Sequence, residues 1–162
     1  MSYIIGITPS KVWTSTEIPP FRPRQRGRDD DGNVYLVVQA DASGVTQYYA
    51  AVVTTTAFVV DMIDTTNSAP GAQAGGIVCV PQVAIAASGY GWGLVNGVGS
   101  VRTNALAAKG TLLNTTATAG QLDDDATAGA EVINGIALTA ATGGAAASTV
   151  AYLTYPSVGR TL

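Results

Sequence analysis

Four arginines alternate with other residues near the amino terminus: Arg22, Arg24, Arg26 and Arg28. A guanidinium pairs with a carboxylate or a phosphate through two parallel N–H donors, so this row could bind an acidic protein surface or a nucleic acid. Residues 1–28 carry five cations against Glu17, whereas the remaining chain carries three cations against ten acids. Because the remainder is negative, we do not expect a nucleic acid partner, and the row predicts contact with an acidic protein surface. A disordered basic tail is the alternative.

The residue types that most enzymes use are scarce. Histidine is absent, which removes the commonest general acid or base and the commonest metal ligand. Cys79, the only cysteine, lies in an apolar run and is predicted to be a buried thiol. The aspartate triplets at 29–31 and 123–125 could supply oxygen ligands for calcium, but solvated turns explain them better. We therefore predict no catalytic residues, no metal site and no cofactor, and thus no enzyme.

The arginine row belongs to a segment that differs from the rest of the chain. Residues 1–28 contain four prolines, which disfavour helix interiors and central strands, so the sequence predicts an extended arm without a core of its own. Its aromatic residues, Trp13 and Phe21 among them, must dock on the arm's own body or on a neighbour. The turn around Asp29 closes the arm, and residues 29–162 form the body.

The body reads as a series of short strands. Runs of β-branched and aromatic residues separated by glycine, proline and aspartate turns recur, and no apolar period of 3.6 residues extends beyond about two turns. The sequence predicts an all-β fold, a small antiparallel β-barrel or sandwich. The predicted strands span residues 34–40, 48–53, 54–60, 77–80 with 82–86, 90–101 as a hairpin, 112–113, 132–138 and 149–155, and long loops span 65–76 and 115–129.

The hairpin around Asn96-Gly97 is the clearest of these local signals. Tyr90, Trp92 and Leu94 alternate with glycines, which places the large side chains on one face of a strand. Asn-Gly favours a type I′ turn, so the chain is expected to reverse there. The aromatic face should fill the core, and the glycine face should let another backbone approach closely.

Composition also indicates the environment in which the protein works. Charged residues make up 12% of the 162-residue chain, about half of the usual share, which favours a surface covered by neighbours in an assembly. No uninterrupted apolar run reaches the ~20 residues of a membrane-spanning helix, so no membrane contact is expected. The first residues lack the pattern of a secretory signal, which predicts synthesis and assembly in a host cytoplasm.

Several short motifs resemble a known family. The strand Gly89-Tyr90-Gly91-Trp92, the Asn96-Gly97 turn, the turn at residues 108–112, the strand at residues 133–138 and the closing strand at residues 150–153 resemble the carboxy-terminal β domain of capsid decoration (cement) proteins of tailed bacteriophages. The likeness covers residues 77–155, about half of the chain, and Gly93 departs from it where a larger residue is expected.

The resemblance implies a trimeric virion protein on the capsid exterior that ties neighbouring major capsid proteins together. Within that hypothesis the arm crosses onto a neighbouring subunit or the capsid, with Trp13 and Phe21 as buried anchors and with Arg22, Arg24, Arg26 and Arg28 pairing with carboxylates. The alternative is a head-fibre or carbohydrate-binding module that uses Tyr90 or Trp92 as a stacking platform.

Overall fold

The computed structural model describes residues 3–54, 58–69, 76–125 and 128–162. These residues contain no helix, and the all-β prediction is confirmed. Parts of three predicted segments lie outside the described residues: residues 55–57 of a strand, and residues 70–75 and 126–127 of the two long loops. The strands are β1 (Tyr3–Ile5), β2 (Arg26–Arg28), β3 (Val34–Ala40), β4 (Ala51–Val53), β5 (Val59–Met62), β6 (Val78–Pro81), β7 (Tyr90–Thr103), β8 (Leu113–Thr115), β9 (Leu122–Asp123), β10 (Glu131–Leu138) and β11 (Ala147–Thr161).

Five of the strands close into a barrel. Their pairings run β3–β5–β4–β6–β7 and return from β7 to β3. Most of these pairs are antiparallel, as predicted, but β3 and β5 are parallel. The barrel interior is filled by small and medium apolar side chains, chiefly valines: Val34, Leu36, Val38, Ala40, Ala51, Val53, Val60, Cys79, Ile85 and Val95.

The carboxy-terminal half of β7 belongs to a second closed circuit of strand pairs. It pairs with β11, which pairs with β10, then β8 and β9, and β9 returns to β7 through a parallel bridge between Thr103 and Leu122. β7 is therefore shared by both circuits. Its fourteen residues give it the length to line one circuit with its first half and the other with its second half.

The predicted hairpin at Asn96-Gly97 is wrong, because β7 continues straight through it. A type I′ turn needs positive φ at both residues, and only Gly97 has it, at φ 121°. The backbone uses this freedom for a local irregularity: Val34 pairs with Asn96 and Tyr35 with Leu94, which leaves Val95 as an extra residue in β7.

Side chains complete the hydrogen bonds of β7 beyond its pairing with Val34, the first residue of β3. Asn33 Oδ1 accepts a hydrogen bond from the Val98 amide at 2.9 Å. The Gln82 side-chain amide accepts from Ser100 N at 2.9 Å and donates to Ser100 O at 3.1 Å. These contacts satisfy backbone groups that would otherwise form an open strand edge, so the strand can continue without a neighbouring strand on that side.

The two faces of the first half of β7 are both buried, but by different parts of the chain. Gly91 and Gly93 face the barrel interior, where side chains rather than another backbone fill the space: Ile85 packs on Gly91 and Cys79 on Gly93. A Cβ at position 93 would lie 2.5 Å from Cys79 Sγ, so the site requires glycine. The opposite face carries Trp92, which the arm covers.

The arm adds two strands that the sequence did not predict. β2 pairs antiparallel with β3, and β1 pairs parallel with β2. Other bounds also differ: residues 82–86 form no strand beyond one bridge between Ile85 and Val45, and β11 runs well past residue 155. β11 is longer because it pairs in succession with β7 and β10 and bridges Ile77 through Ser157.

Candidate functional site

The aromatic part of the arm packs on the body of the same chain. The ring centres of Trp13 and Phe21 lie 6.5 Å and 5.3 Å from that of Trp92, and 6.2 Å from each other in an edge-to-face arrangement. Tilted and edge-on contacts at these distances are favourable for aromatic pairs. Trp92 is 1% exposed and Trp13 is 9% exposed, so both indoles lie in the core.

Backbone contacts hold this part of the arm in place. Trp13 N donates to Tyr90 O at 2.9 Å and Tyr90 N donates to Trp13 O at 2.8 Å, which attaches the arm to the start of β7. Gly27 allows close packing, because a Cβ there would lie 2.6 Å from Ile7 Cγ2 and 3.0 Å from Trp92 Cη2. Trp13 and Phe21, which the sequence suggested as anchors for a partner, thus cover Trp92 of their own chain.

The arginine part of the arm has a different environment. Arg22, Arg24 and Arg28 are exposed, and Arg26 is half-buried. The guanidinium carbon of Arg24 lies 4.3 Å from the centre of the Phe58 ring, and that of Arg26 lies 5.2 Å from the centre of the Tyr155 ring. Both distances are within the range of cation–π contacts. Two of the four predicted arginines are therefore placed by aromatic residues from distant parts of the sequence.

These two cation–π pairs border a groove at the end of the barrel where β5 and β6 begin. We call it the barrel-end groove, and its principal lining residues are Arg24, Arg26, Leu36, Phe58, Ile77 and Tyr155. It consists of two adjoining shallow depressions that share Arg26, Leu36 and Ile77. The mouths of β-barrels are common places for binding sites.

A bulge in β11 directs Tyr155 toward the groove. Between the pairs Ile136–Leu153 and Asn134–Ser157, β10 has one residue, Gly135, whereas β11 has three. Gly135 adopts φ 78°, and a Cβ there would lie 2.8 Å from Thr154 O. The surplus residues bend β11 away from regular pairing, as bulges do, and Tyr155 stands at the middle of the bend.

The aspartate triplets serve the local structure. Asp29 accepts hydrogen bonds from the Asn33 amide at 2.8 Å and its side chain at 2.9 Å, and Asp123 accepts one from the Asn104 side chain at 2.7 Å. Asp124 accepts one from the Ala108 amide at 3.0 Å. Among the residues that the structure describes, no group of three or more histidine, cysteine, aspartate or glutamate side chains could hold a metal ion.

Two groups in the core have shifted pKa values. Complete burial raises the pKa of the Cys79 thiol to about 12, so the reactive thiolate is disfavoured at neutral pH. Burial, with the nearby charge of Asp29 as the second cause, raises the pKa of Tyr35 above its usual value. Neither group borders the barrel-end groove.

Comparison with protein-family models, with curated proteins and with solved structures gives no match to this chain. No helix able to cross a membrane occurs in the described parts of the chain.

The sequence identified the arginines of this surface but not its other half. Phe58 and Tyr155 lie in or next to predicted strands, where aromatic residues are ordinary, and nothing local marks them as partners of arginines. Leu36 and Ile77 likewise carry no signal beyond apolar strand residues. Only the pairing of distant strands brings the four together.

Proposed function

We propose that this protein is a capsid decoration (cement) protein, a structural virion protein that binds the outer surface of a tailed-phage head and stabilises the lattice of the major capsid protein. In this proposal it acts as a homotrimer on the capsid exterior and is assembled in the host cytoplasm. The carrying observation is an arginine surface fixed to an all-β body, with two guanidiniums in cation–π contact with aromatic rings at the edge of an apolar groove.

The placement of the arginines supports attachment to protein. Arg26 and Arg28 lie in β2, which pairs with β3, so these residues have a fixed position on the body. Donors that are positioned before binding lose less conformational entropy when they pair with a carboxylate. A loose basic tail would lack this advantage.

An exposed apolar face supports a second contact. Tyr152 in β11 pairs directly with Val98 in β7, and these side chains are 58% and 47% exposed, with Val150 beside them also 47% exposed. Contiguous apolar surface of this kind is usually covered by a partner. In the proposed trimer this face packs against another copy, while the arginine surface contacts the shell.

Stabilisation would follow from mass action. A protein that binds the assembled lattice but not the dissociated subunits shifts the equilibrium toward the lattice, by an amount that grows with its concentration relative to the dissociation constant. No catalytic group is needed for this effect.

The test is the copy number of the protein in purified virus-like particles, compared with its oligomeric state in solution. The proposal predicts a fixed ratio to the major capsid protein and a trimer in both settings. If washed particles contain no bound protein, or only variable traces, the proposal fails.

The carbohydrate-binding alternative depended on an accessible aromatic platform at Tyr90 or Trp92. Tyr90 is half-buried and bonded to the arm, and Trp92 lies beneath Trp13 and Phe21. No observation favours that function over attachment to a capsid.

A further inference from the structure

We propose that the barrel-end groove binds a short peptide segment of a protein partner, one in which carboxylate side chains flank an apolar side chain. The carboxylates pair with Arg24 and Arg26, and the apolar side chain covers Leu36 and Ile77. This inference specifies the contact made by the proposed capsid-binding surface and rests on that function only for the identity of the protein that supplies the segment.

The groove brings apolar side chains together at a junction of four parts of the chain. Leu36 from β3 and Val95 from β7 form a buried floor, and Ile77, which precedes β6, is 39% exposed at the side. Pro156 and Ser157 from β11 complete the wall. An apolar side chain inserted here would pack on the floor and would gain the free energy of removing the exposed part of Ile77 from water.

The two arginines at the border each lie over an aromatic ring. The guanidinium carbon of Arg24 is 4.3 Å from the centre of the Phe58 ring and that of Arg26 is 5.2 Å from the centre of the Tyr155 ring, distances at which a cation–π contact limits the freedom of the side chain. A guanidinium carries N–H donors in a fork that matches a carboxylate, so each arginine can pair with an acidic side chain of the partner.

Unfavourable backbone conformations are concentrated at the same place. Of the six non-glycine residues with positive φ in the described ranges, three line this groove: Arg24 at 80°, Phe58 at 55° and Tyr155 at 52°. They belong to the two cation–π pairs. Bulky residues rarely adopt this conformation, and such outliers cluster at functional sites. Arg24 N donates to Val37 O at 3.0 Å and Gln39 N donates to Phe58 O at 3.3 Å, which holds two of them in position.

The form and charge of the site favour an acidic peptide as the occupant. The two adjoining depressions share a wall and have room for more than one side chain. Outside the arm the chain carries ten acids and only Arg102, Lys109 and Arg160 as cations, so a polyphosphate backbone would be repelled beyond the groove. A short segment with two carboxylates meets the two guanidiniums without this penalty.

The experiment is an NMR titration of the ¹⁵N-labelled full chain with the capped peptide acetyl-Gly-Glu-Leu-Glu-Gly-amide. We expect saturable shifts of the Arg24 and Arg26 side-chain N–H signals with a dissociation constant on the order of 1 mM, a weak affinity typical of a short isolated segment. The peptides with Gln-Leu-Gln and with Glu-Ser-Glu at the centre should each bind roughly tenfold more weakly. The first lacks the carboxylates that pair with the arginines, and the second lacks the apolar side chain.

Two charge-matched variants give the control. Arg24→Gln with Arg26→Gln should weaken binding about tenfold or more, whereas Lys109→Gln with Arg160→Gln, which removes the same charge outside the groove, should change it less than about twofold. The native amide spectrum of each variant shows whether it remains folded.

Four results would overturn the inference: no saturable shift, equal binding of the Gln-Leu-Gln peptide, equal loss in both double variants, or hexanoate binding as tightly as the peptide, which would identify a small apolar acid as the ligand. Peptide binding by a protein that does not attach to particles would leave this inference standing and reject the capsid function. Particle attachment without peptide binding would do the reverse.

Discussion

The aromatic and arginine parts of the arm lie close together in sequence but have opposite environments. Trp13 is 9% exposed and covers the almost completely buried Trp92, whereas Arg24 is exposed and rests on a ring of the barrel end. The aromatic part is thus core of the protein's own body, and the arginine part is surface. The two parts of the arm therefore have different roles. Substitutions in the aromatic part should lower the stability of the fold, and substitutions in the arginine part should weaken binding.

The largest effect should come from the core side of this comparison. Trp92→Ala removes an indole that is 1% exposed beneath the arm, and we expect a loss of about 3–5 kcal/mol in the free energy of unfolding, measured by urea denaturation. Trp13→Ala should cost a large part of the same amount. A change below about 1 kcal/mol in both would mean that the arm does not contribute to the core.

Labelling of Cys79 offers an independent measure of the same effect. At pH 8 the buried thiol should react with a disulfide reagent only after unfolding, since its pKa is raised to about 12. Trp92→Ala should speed labelling about 100-fold or more, in proportion to the larger unfolded population. Arg24→Gln with Arg26→Gln, which removes two cation–π contacts worth about 0.5–1 kcal/mol each, should speed labelling by only about 5- to 30-fold. Rapid labelling of the wild-type protein would contradict the burial of this thiol.

Raising the pH should weaken the fold through the same thiol. Because the folded pKa is raised above the ordinary value of 9.0, the unfolded chain releases the proton first, and stability falls as pH rises from about 9 to about 12. The slope for this group is at most about 1.4 kcal/mol per pH unit. Cys79→Ala should flatten the profile of unfolding free energy against pH, and an unchanged slope in that variant would assign the effect to other groups such as Tyr35.

A smaller effect should follow from filling the close contact at Gly27. Gly27→Ala places a methyl group against Ile7 and Trp92 and should destabilise the chain by about 1–3 kcal/mol in urea denaturation. Gly143→Ala is the matched control, because a Cβ there meets nothing within 4 Å, and it should change stability by less than about 1 kcal/mol. Equal changes in unfolding free energy for the two substitutions would contradict this expectation, because they would show that β2 can move to accommodate the added methyl group.

The smallest effect on stability is expected for the arginines. Arg24→Gln and Arg26→Gln each remove one cation–π contact at a solvent-exposed edge, worth about 0.5–1 kcal/mol. Thermal unfolding should therefore shift only slightly, while peptide binding is lost. A large fall in the unfolding temperature would show that these arginines stabilise the fold, as the aromatic part of the arm does.

Sequence reasoning succeeded where the signal was local. The strand Val34–Ala40 coincides with its prediction, because a run of β-branched and aromatic residues ends at turns on both sides. The Asn96-Gly97 prediction failed because its premise was also local: Asn-Gly permits a reversal, but the bonds from Asn33 and Gln82 stabilise a continuous strand. Tertiary contacts decided between the two outcomes.

The candidate site follows the same division. The sequence shows the arginines as a cluster of positive charge, but it does not indicate their aromatic partners, Phe58 and Tyr155. Phe58 reaches Arg24 through the parallel pairing of β3 with β5, and Tyr155 reaches Arg26 through the bulge in β11 and the Ile77–Ser157 bridge. These contacts join residues far apart in sequence, so no window of the sequence contains them.

The most direct test of the proposed division is the copy number in purified virus-like particles of the wild-type protein and of the Arg24→Gln, Arg26→Gln double variant. We predict a fixed copy number for the wild type and at least a roughly tenfold reduction for the double variant, whose unfolding midpoint should fall by only a few degrees. Equal copy numbers for the two proteins would contradict the claim that the arginine part of the arm is the binding surface.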